Sequence, residues 1–278
     1  MTILCRTIAQ ARRARATLGE GKLALVPTMG ALHAGHRALI RAASQRASHV
    51  AVSIFVNPTQ FGPSEDFASY PRQETTDRET LEDERVALLF APEAPEIYPA
   101  GFATRIEVAG LGNHLCGPFR PGHFSGVATI VTKLIDIISP ELAVFGEKDF
   151  QQLRIVSQVT RDLDLATDIV GIPTVREADG LALSSRNAYL SDSERRTAAQ
   201  LPRALKEAAR VMAEGIPAAP VIQEVERALV EAGFGPIDYV TLASSETLTP
   251  LDRAVTPCRL FAAAYLGRTR LIDNWPVL

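Results

Sequence analysis

The stretch KLALVPTMGALHAGHRALI, residues 22–40, decides how this chain folds. Its apolar run, residues 23–26, is typical of a strand that is covered on both faces. Pro27 and Gly30 end that strand, because neither residue continues a central strand well. Helical periodicity returns near His36. The stretch therefore predicts a buried strand, a tight turn and the beginning of a helix.

Two histidines, His33 and His36, lie at the start of that predicted helix, on either side of Gly35. A helix N-terminus presents backbone N–H groups and a partial positive charge, so it is a natural binding place for an anion. Imidazoles three residues apart could point to the same side and add donors. The same spacing also fits surface residues or half of a metal site. Because no cysteine or carboxylate lies nearby at a recognisable zinc spacing, anion binding is favoured.

Composition bounds the class of protein. The 278 residues are enough for one large or two modest domains with a core. The net charge of −3 gives no electrostatic reason to expect nucleic acid or an anionic membrane as partner. No apolar run reaches the roughly 18 residues that span a bilayer, and the N-terminus lacks a secretory apolar region. The three scattered cysteines fit reduced thiols, so we expect a cytoplasmic protein.

Beyond residue 40 the chain first alternates between strand and helix patterns. The predicted strands are residues 49–56, 86–90, 142–145 and 168–175, and the predicted helices are residues 6–18, 74–85, 124–138 and 153–162. Such alternation indicates right-handed βαβ units and a parallel sheet. After residue 175 the pattern changes to predicted helices over 191–214 and 219–232, followed by short antiparallel strands over 237–243, 259–266 and 270–272. The fold class predicted is α/β, with a Rossmann-like domain over 1–174 and a smaller α+β domain over 175–278.

Polar motifs follow three of the predicted parallel strands. They are TMGALHAGH at 28–36, NPTQFG at 57–62 and GEKDFQQ at 146–152. In a parallel sheet, ligands bind outside the carboxyl ends of the strands, so these motifs predict one site. The sequence contains neither GxGxxG nor GxxxxGK[ST] and shows no convincing nucleophile with its base. This favours chemistry by positioning and charge stabilisation, as in phosphoryl or nucleotidyl transfer.

Four motifs together identify a resemblance that covers essentially the whole chain. PTMGALHAGH, FVNPTQFGPSEDFASYPR, FGEKDFQQL and PTVREADGLALSSRN, in this order and spacing, closely resemble the pantoate–β-alanine ligase family. The histidine motif alone would indicate only the wider HxGH nucleotidyltransferase superfamily. The resemblance implies ATP-dependent condensation of pantoate and β-alanine to pantothenate through a pantoyl-adenylate, with release of pyrophosphate and AMP. It also implies a homodimer.

The resemblance also implies roles for individual residues. Six side chains would contact the ATP phosphates and take part in catalysis: His33, His36, Lys148, Ser184, Ser185 and Arg186. Further contacts to ATP would come from Met29, Gly35, Gly146, Asp149 and Val175. Pantoate would be bound by Asn57, Gln60, Phe145 and Gln152, with Met29 and Phe145 as apolar walls against its gem-dimethyl group. Mg²⁺ would lie mainly on the phosphates, with Asp77 as the candidate protein carboxylate ligand. The loops over 57–72 and 176–190 are candidate lids.

The chain departs from the family pattern at three positions. Leu183 stands where Met is usual, which is a near-isosteric apolar exchange. Thr76 precedes Asp77 where a second acidic residue is common, and this bears on the magnesium assignment. Arg85 replaces a usual Gly in the turn before the third predicted strand. None of the three is a residue assigned to the phosphates or to pantoate.

Two other functions remain as alternatives. The first is transfer of AMP to a phosphorylated acceptor, which would share only the histidine motif. Gln60 and Gln152 argue against it, because a phosphate acceptor would favour Arg or Lys at those positions. The second is a non-catalytic nucleotide-binding regulator. Four intact residues argue against that function: His33, His36, Lys148 and Arg186.

Overall fold

The computed structural model of the protein describes residues 1–63 and 65–278. Ser64, which belongs to the predicted lid loop over 57–72, lies outside the described residues. The chain forms two compact units. Unit 1 comprises Met1–Gly112, Arg120–Glu147 and Gln152–Pro173, and unit 2 comprises Asn113–Phe119, Lys148–Gln151 and Thr174–Leu278. The domain boundary between residues 174 and 175 stays a prediction.

Unit 1 is built on a parallel sheet. Within the described residues its six strands have the order β1-β4-β3-β2-β5-β6. The strands are β1 (Ile3–Cys5), β2 (Leu23–Thr28), β3 (His49–Ile54), β4 (Leu88–Phe90), β5 (Leu142–Gly146) and β6 (Asp168–Ile172). The helices of this part of the chain are α1 (Ile8–Thr17), α2 (Ala34–Ser44), α3 (Glu74–Asp83), α4 (Ala94–Ile97), α5 (His123–Ile138) and α6 (Phe150–Asp162). The predicted α/β class is confirmed.

The strand β2 lies between β3 and β5 near the middle of the sheet. Leu23, Ala24, Leu25 and Val26 on this strand are fully buried, which confirms the prediction of a strand covered on both faces. Each fully buried Leu or Val contributes about 1.5–3 kcal/mol relative to an exposed one. The edge strand β1 was not predicted, because three residues are too few for a periodic pattern to show.

Unit 2 carries an antiparallel sheet in the order β7-β8-β9. Its strands are β7 (Ile237–Ser244), β8 (Cys258–Leu266) and β9 (Thr269–Val277), and its helices are α7 (Asp192–Ala198), α8 (Gln200–Ala213) and α9 (Ala218–Glu231). The helix predicted over 191–214 is therefore two helices. Pro202 explains the break, because proline has no N–H and its ring clashes with the carbonyl four residues earlier, that of Ala198. The capping box of Ser191 and Glu194 is confirmed.

The predictions drawn from composition can be compared with the described residues. No helix in them combines the length and apolar character that crossing a bilayer requires. Cys5, Cys116 and Cys258 are free cysteines, and each is buried.

Candidate active site

The three polar motifs of the first part of the chain follow adjacent strands. Because β2, β3 and β5 are neighbours and run parallel, their carboxyl ends at Thr28, Ile54 and Gly146 share one edge of the sheet. The parallel order of these strands is as predicted, and the gathering of the three motifs into one site stays a prediction. In unit 1 this edge carries the histidine turn and the loop after β3. Lys148, Asp149 and the Ser-Ser-Arg loop belong to unit 2.

His33 and His36 cap the N-terminus of α2 with their rings. His33 Nδ1 accepts the N–H of Gly35 at 3.1 Å, and His36 Nδ1 accepts the N–H of His33 at 3.3 Å. The two ring centroids are 4.1 Å apart. Since each Nδ1 accepts, a neutral ring in this hydrogen-bond network carries its proton on Nε2, and Nε2–H is a donor. The pair thus brings two donors to a helix N-terminus, where an anion is stabilised.

The loop after β3 brings Met29, Asn57 and Gln60 together. Gln60 ends a turn of 3₁₀ helix, Pro58–Gln60. Its Nε2 lies 3.0 Å from Met29 Sδ, and its Oε1 accepts from Asn57 Nδ2 at 3.1 Å. Asn57 is only 1% exposed, and it also donates to Gly126 O and accepts from Tyr98 Oη. These bonds fix the orientation of the Gln60 amide, which favours a supporting role for Asn57.

A second set of contacts holds the backbone of Gln60, and sequence reasoning missed it. Arg120 forms a bidentate ion pair with Glu65, at 2.8 and 2.6 Å, and its Nη1 lies 2.9 Å from His123 Nε2. His123 Nδ1 donates to Gln60 O at 2.8 Å. We name Arg120, His123 and Glu65 the arginine latch. The only signal was the basic RPGHF motif at 120–124, most of which lies outside the predicted strands and helices.

Lys148 and the Ser-Ser-Arg loop lie in unit 2. Lys148 lies in a turn of 3₁₀ helix, Glu147–Asp149, with its Nζ 3.8 Å from Asp149 Oδ1. Ser184 caps the turn Ser185–Tyr189, since its Oγ accepts the N–H of Arg186 at 3.3 Å. These cations and hydroxyls have the chemistry of a phosphate-binding set.

The loop that carries Ser184 is held by hydrogen bonds and ion pairs within unit 2. Val175 O accepts the N–H of Leu183 at 3.0 Å, so the predicted ATP contact Val175 adjoins the loop. Arg195 forms ion pairs with Glu177 and Asp179, and its hydrogen bond holds the pKa of the Asp179 carboxyl below its usual value. These contacts therefore anchor the segment from which the loop extends.

The remaining predicted contacts lie on the sheet and on two helices. Phe145 is buried on β5, and Gly146 ends that strand. Gly35 is in the first turn of α2, and Gln152 is half-buried on α6. The structure places these residues without assigning them a ligand, so their roles stay predictions.

Comparison with known proteins decides the family. A family model described as pantoate-beta-alanine ligase matches residues 3–276. The chain belongs to the pantoate–β-alanine ligase family. It is similar to the pantothenate synthetase of Sphingopyxis alaskensis, with 55% identity over 99% of both chains, and to that of Myxococcus xanthus, with 53% identity over 91% of this chain and 88% of that one. The family resemblance drawn from the four motifs is confirmed.

Solved structures agree with this assignment. A pantothenate synthetase from Thermus thermophilus matches with a TM-score of 0.93 and 45% identity over 99% of both chains. The pantoate-beta-alanine ligase of Francisella tularensis, solved as a complex with beta-gamma ATP and beta-alanine, matches with a TM-score of 0.85. Its identity is 36%, over 99% of this chain and 98% of that chain. The predicted combination of a parallel sheet and a small antiparallel domain is therefore the family's fold.

The use of ATP implies Mg²⁺, and the described residues contain no cluster of protein ligands for it. No group of three His, Cys, Asp or Glu side chains in residues 1–63 and 65–278 is arranged to hold a metal ion. Asp77, the predicted ligand, is 2% exposed, and both of its oxygens already accept backbone N–H groups. Burial raises the pKa of this carboxyl. Its surroundings do not fit direct coordination, and Mg²⁺ commonly binds through substrate phosphates instead.

Proposed function

We propose that this ligase joins pantoate to β-alanine in two steps through a pantoyl-adenylate. In the first step a carboxylate oxygen of pantoate attacks the α-phosphorus of ATP, and the bond from that phosphorus to pyrophosphate breaks. In the second step the amine of β-alanine attacks the acyl carbon. The bond from that carbon to AMP then breaks, and the amine loses a proton. The products are pyrophosphate, AMP and pantothenate.

The observation that carries this proposal is the ring cap that His33 and His36 form on α2. A carboxylate is a poor nucleophile toward a polyanion, because like charges repel. Donors fixed at a helix N-terminus offset that repulsion and stabilise the charge that develops on the phosphates. The locked Nδ1 acceptors support Nε2–H donation to phosphate oxygens. We assign His33 and His36 to that role.

Other side chains complete the proposed ATP set. Four of them would bind the phosphates: Lys148, Ser184, Ser185 and Arg186. The ribose and the rest of the nucleotide would be contacted by Met29, Gly35, Gly146, Asp149 and Val175. The cationic and hydroxyl groups of the four phosphate-binding residues suit a polyanion. The Ser184 cap supports an ordered loop for binding phosphate. Mg²⁺ would be carried mainly by the ATP phosphates, and this remains part of the proposal.

Pantoate is proposed to bind beside Gln60, Gln152, Asn57 and Phe145. Gln60 offers an uncharged amide to the hydroxyls or carboxylate of pantoate, with the Met29 thioether 3.0 Å from its Nε2. Met29 and Phe145 would face the gem-dimethyl group. A neutral amide at this position gives no cationic partner for a phosphorylated acceptor, so pantoate is favoured over the alternative nucleotidyl transfer.

Two further parts of the proposal concern assembly and water. The loops over 57–72 and 176–190 are proposed to close over the site, because an acyl-adenylate must be kept from water.

We also propose that the chain acts in the cytoplasm as a homodimer, as its family resemblance implies. Sedimentation of the purified protein tests the dimer, and a single monomer boundary would contradict it.

An isotope experiment tests the two-step route. Pantoate labelled with ¹⁸O in both carboxylate oxygens is turned over with ATP and β-alanine, and the products are examined by mass spectrometry. Attack at the α-phosphorus leaves one ¹⁸O in AMP and one in the amide carbonyl of pantothenate. Label in inorganic phosphate instead would indicate an acyl-phosphate route, and no pantothenate at all would reject the proposed substrates.

A further inference from the structure

The carboxylate of Asp77 holds the turn that precedes the histidines. Asp77 lies in the first turn of α3, where the helix N-terminus favours a negative charge. Its Oδ2 accepts the N–H of Ala31 at 2.9 Å, and its Oδ1 accepts the N–H of Leu32 at 2.7 Å. One buried side chain thus binds two consecutive peptide groups that are 45 and 46 residues away in the chain.

The turn itself has an unusual backbone. Gly30 has φ of 86° and Ala31 has φ of 51°, so two consecutive residues lie in the left-handed region. An L-residue such as Ala rarely adopts that region without a local partner. A Cβ on Gly30 would lie 3.0 Å from Asp77 Oδ2. The positive φ and the close approach of the carboxylate both favour glycine at position 30, and the bond from Ala31 N–H to Asp77 holds Ala31 in its left-handed conformation.

The turn leads directly into the histidine cap. Leu32, whose N–H is bound by Asp77, is followed by His33, and the N–H of His33 is the donor to His36 Nδ1. The direction of that peptide N–H is set by the turn before it. We propose that Asp77 is a positioning residue for the adenylation step, whose carboxylate fixes the turn at 30–32 and thereby sets the two imidazoles. The link to adenylation rests on the proposed function.

This role differs from that of a metal ligand in what a substitution does. Removing the charge of a Mg²⁺ ligand weakens metal binding, and excess Mg²⁺ then restores activity. A positioning residue alters the reacting geometry at any Mg²⁺ concentration. Asp77→Asn separates the two roles, because the side chain keeps its size while one acceptor oxygen becomes an NH₂ donor that faces a backbone N–H. Glu79→Gln is the matched control, since it neutralises an exposed carboxylate on the same helix.

The decisive experiment measures pantoate-dependent pyrophosphate release at several Mg²⁺ concentrations, together with the histidine side-chain NMR signals. For Asp77→Asn we expect kcat to fall about 10²-fold, because misplacing reacting groups by about 1 Å lowers a rate by about that factor. The KM for ATP and the Mg²⁺ activation constant should hardly change. The signals of His33 and His36 should move, while Glu79→Gln leaves all of these quantities as in the wild type.

A second variant tests the turn itself. Ala31→Gly adopts a positive φ without strain, so added to Asp77→Asn it should restore part of the lost turnover. It also keeps the experiment decisive if Asp77→Asn alone folds poorly. Unchanged kcat, unchanged histidine signals or recovery with excess Mg²⁺ would each overturn the positioning role. If wild-type protein releases no pyrophosphate with pantoate, the proposed function fails, whereas the NMR comparison still decides whether Asp77 sets the histidines.

Discussion

His36 accepts the backbone N–H of His33 through Nδ1, and the two rings lie 4.1 Å apart. Each histidine is therefore part of the helix cap and also a candidate hydrogen-bond donor to the phosphates of ATP. A cap substitution alone costs about 0.5–2 kcal/mol of stability. Loss of a charge-stabilising donor in a reaction costs about 10²–10³-fold in kcat. The two contributions can be separated by measuring both quantities.

The first prediction concerns His36→Ala. We expect the rate of adenylation to fall about 10²–10³-fold, because a donor to the developing charge is lost. Pantoate binding should weaken far less. Rapid-quench measurement of pyrophosphate formation gives the rate, and titration gives the affinity. His49→Ala is the control, since His49 begins β3 at the opposite edge of the sheet. Turnover within a few-fold of wild type would reject the assigned role.

The arginine latch gives a second prediction, for Arg120→Lys. A lysine keeps the charge but loses the bidentate pair to Glu65 that ties this loop segment to the backbone of Gln60. We expect the KM for pantoate to rise about tenfold, equivalent to about 1.4 kcal/mol, with a smaller change in the KM for ATP. Steady-state kinetics measure both constants. Arg12→Lys makes the same exchange at an exposed pair with Asp136 and should have no effect. Equal rises in both constants would contradict the prediction.

The third prediction concerns the close packing of α5 on the loop after β3. A Cβ on Gly126 would clash with the carbonyl oxygen of Thr59, so Gly126→Ala must displace the turn that carries Gln60. Overpacking of this kind costs about 1–3 kcal/mol, and we expect weaker pantoate binding as well. Urea unfolding and pantoate titration measure the two effects. At Gly112 a Cβ would contact nothing within 4 Å, so Gly112→Ala should stay within about 0.5 kcal/mol of the wild type.

Arg85 provides a test in which a substitution stabilises the protein. Its φ is 56°, in the left-handed region, which glycine adopts without strain. The strain relieved by Arg85→Gly exceeds the chain entropy that glycine adds, so the free energy of unfolding should rise by about 0.5–1 kcal/mol. Arg78→Gly, in the interior of α3, should lower it by about 1 kcal/mol. Chemical denaturation of both variants measures the difference, and destabilisation by Arg85→Gly would contradict the strain argument.

The sequence predicted those parts of the fold that depend on local pattern. The apolar run before Pro27 marked the central strand, and the alternation of elements marked the parallel sheet. It did not predict β1, which is too short for periodicity to show. It also missed the break before α8, because the apolar pattern continues through Pro202 and hides the lost hydrogen bond.

The candidate site divides in the same way. Motif positions predicted the histidine pair and Gln60, because both directly follow strands. The arginine latch and the Asp77 contacts could not be predicted, since they join segments 45 to 63 residues apart and depend on how the elements pack. Asp77 shows the consequence. The family resemblance suggested that its carboxylate lies near Mg²⁺, whereas its packing supports a role in backbone positioning.

The measurement that tests the central claim most directly is pyrophosphate release from ATP with pantoate alone, before β-alanine is added. If a pantoyl-adenylate forms, pyrophosphate should appear in a burst that depends on pantoate and approaches one equivalent per active site. Addition of β-alanine should then complete turnover with AMP and pantothenate. Protein that still binds ATP but releases no pyrophosphate with pantoate would contradict the adenylation of pantoate and direct attention to phosphorylated acceptors.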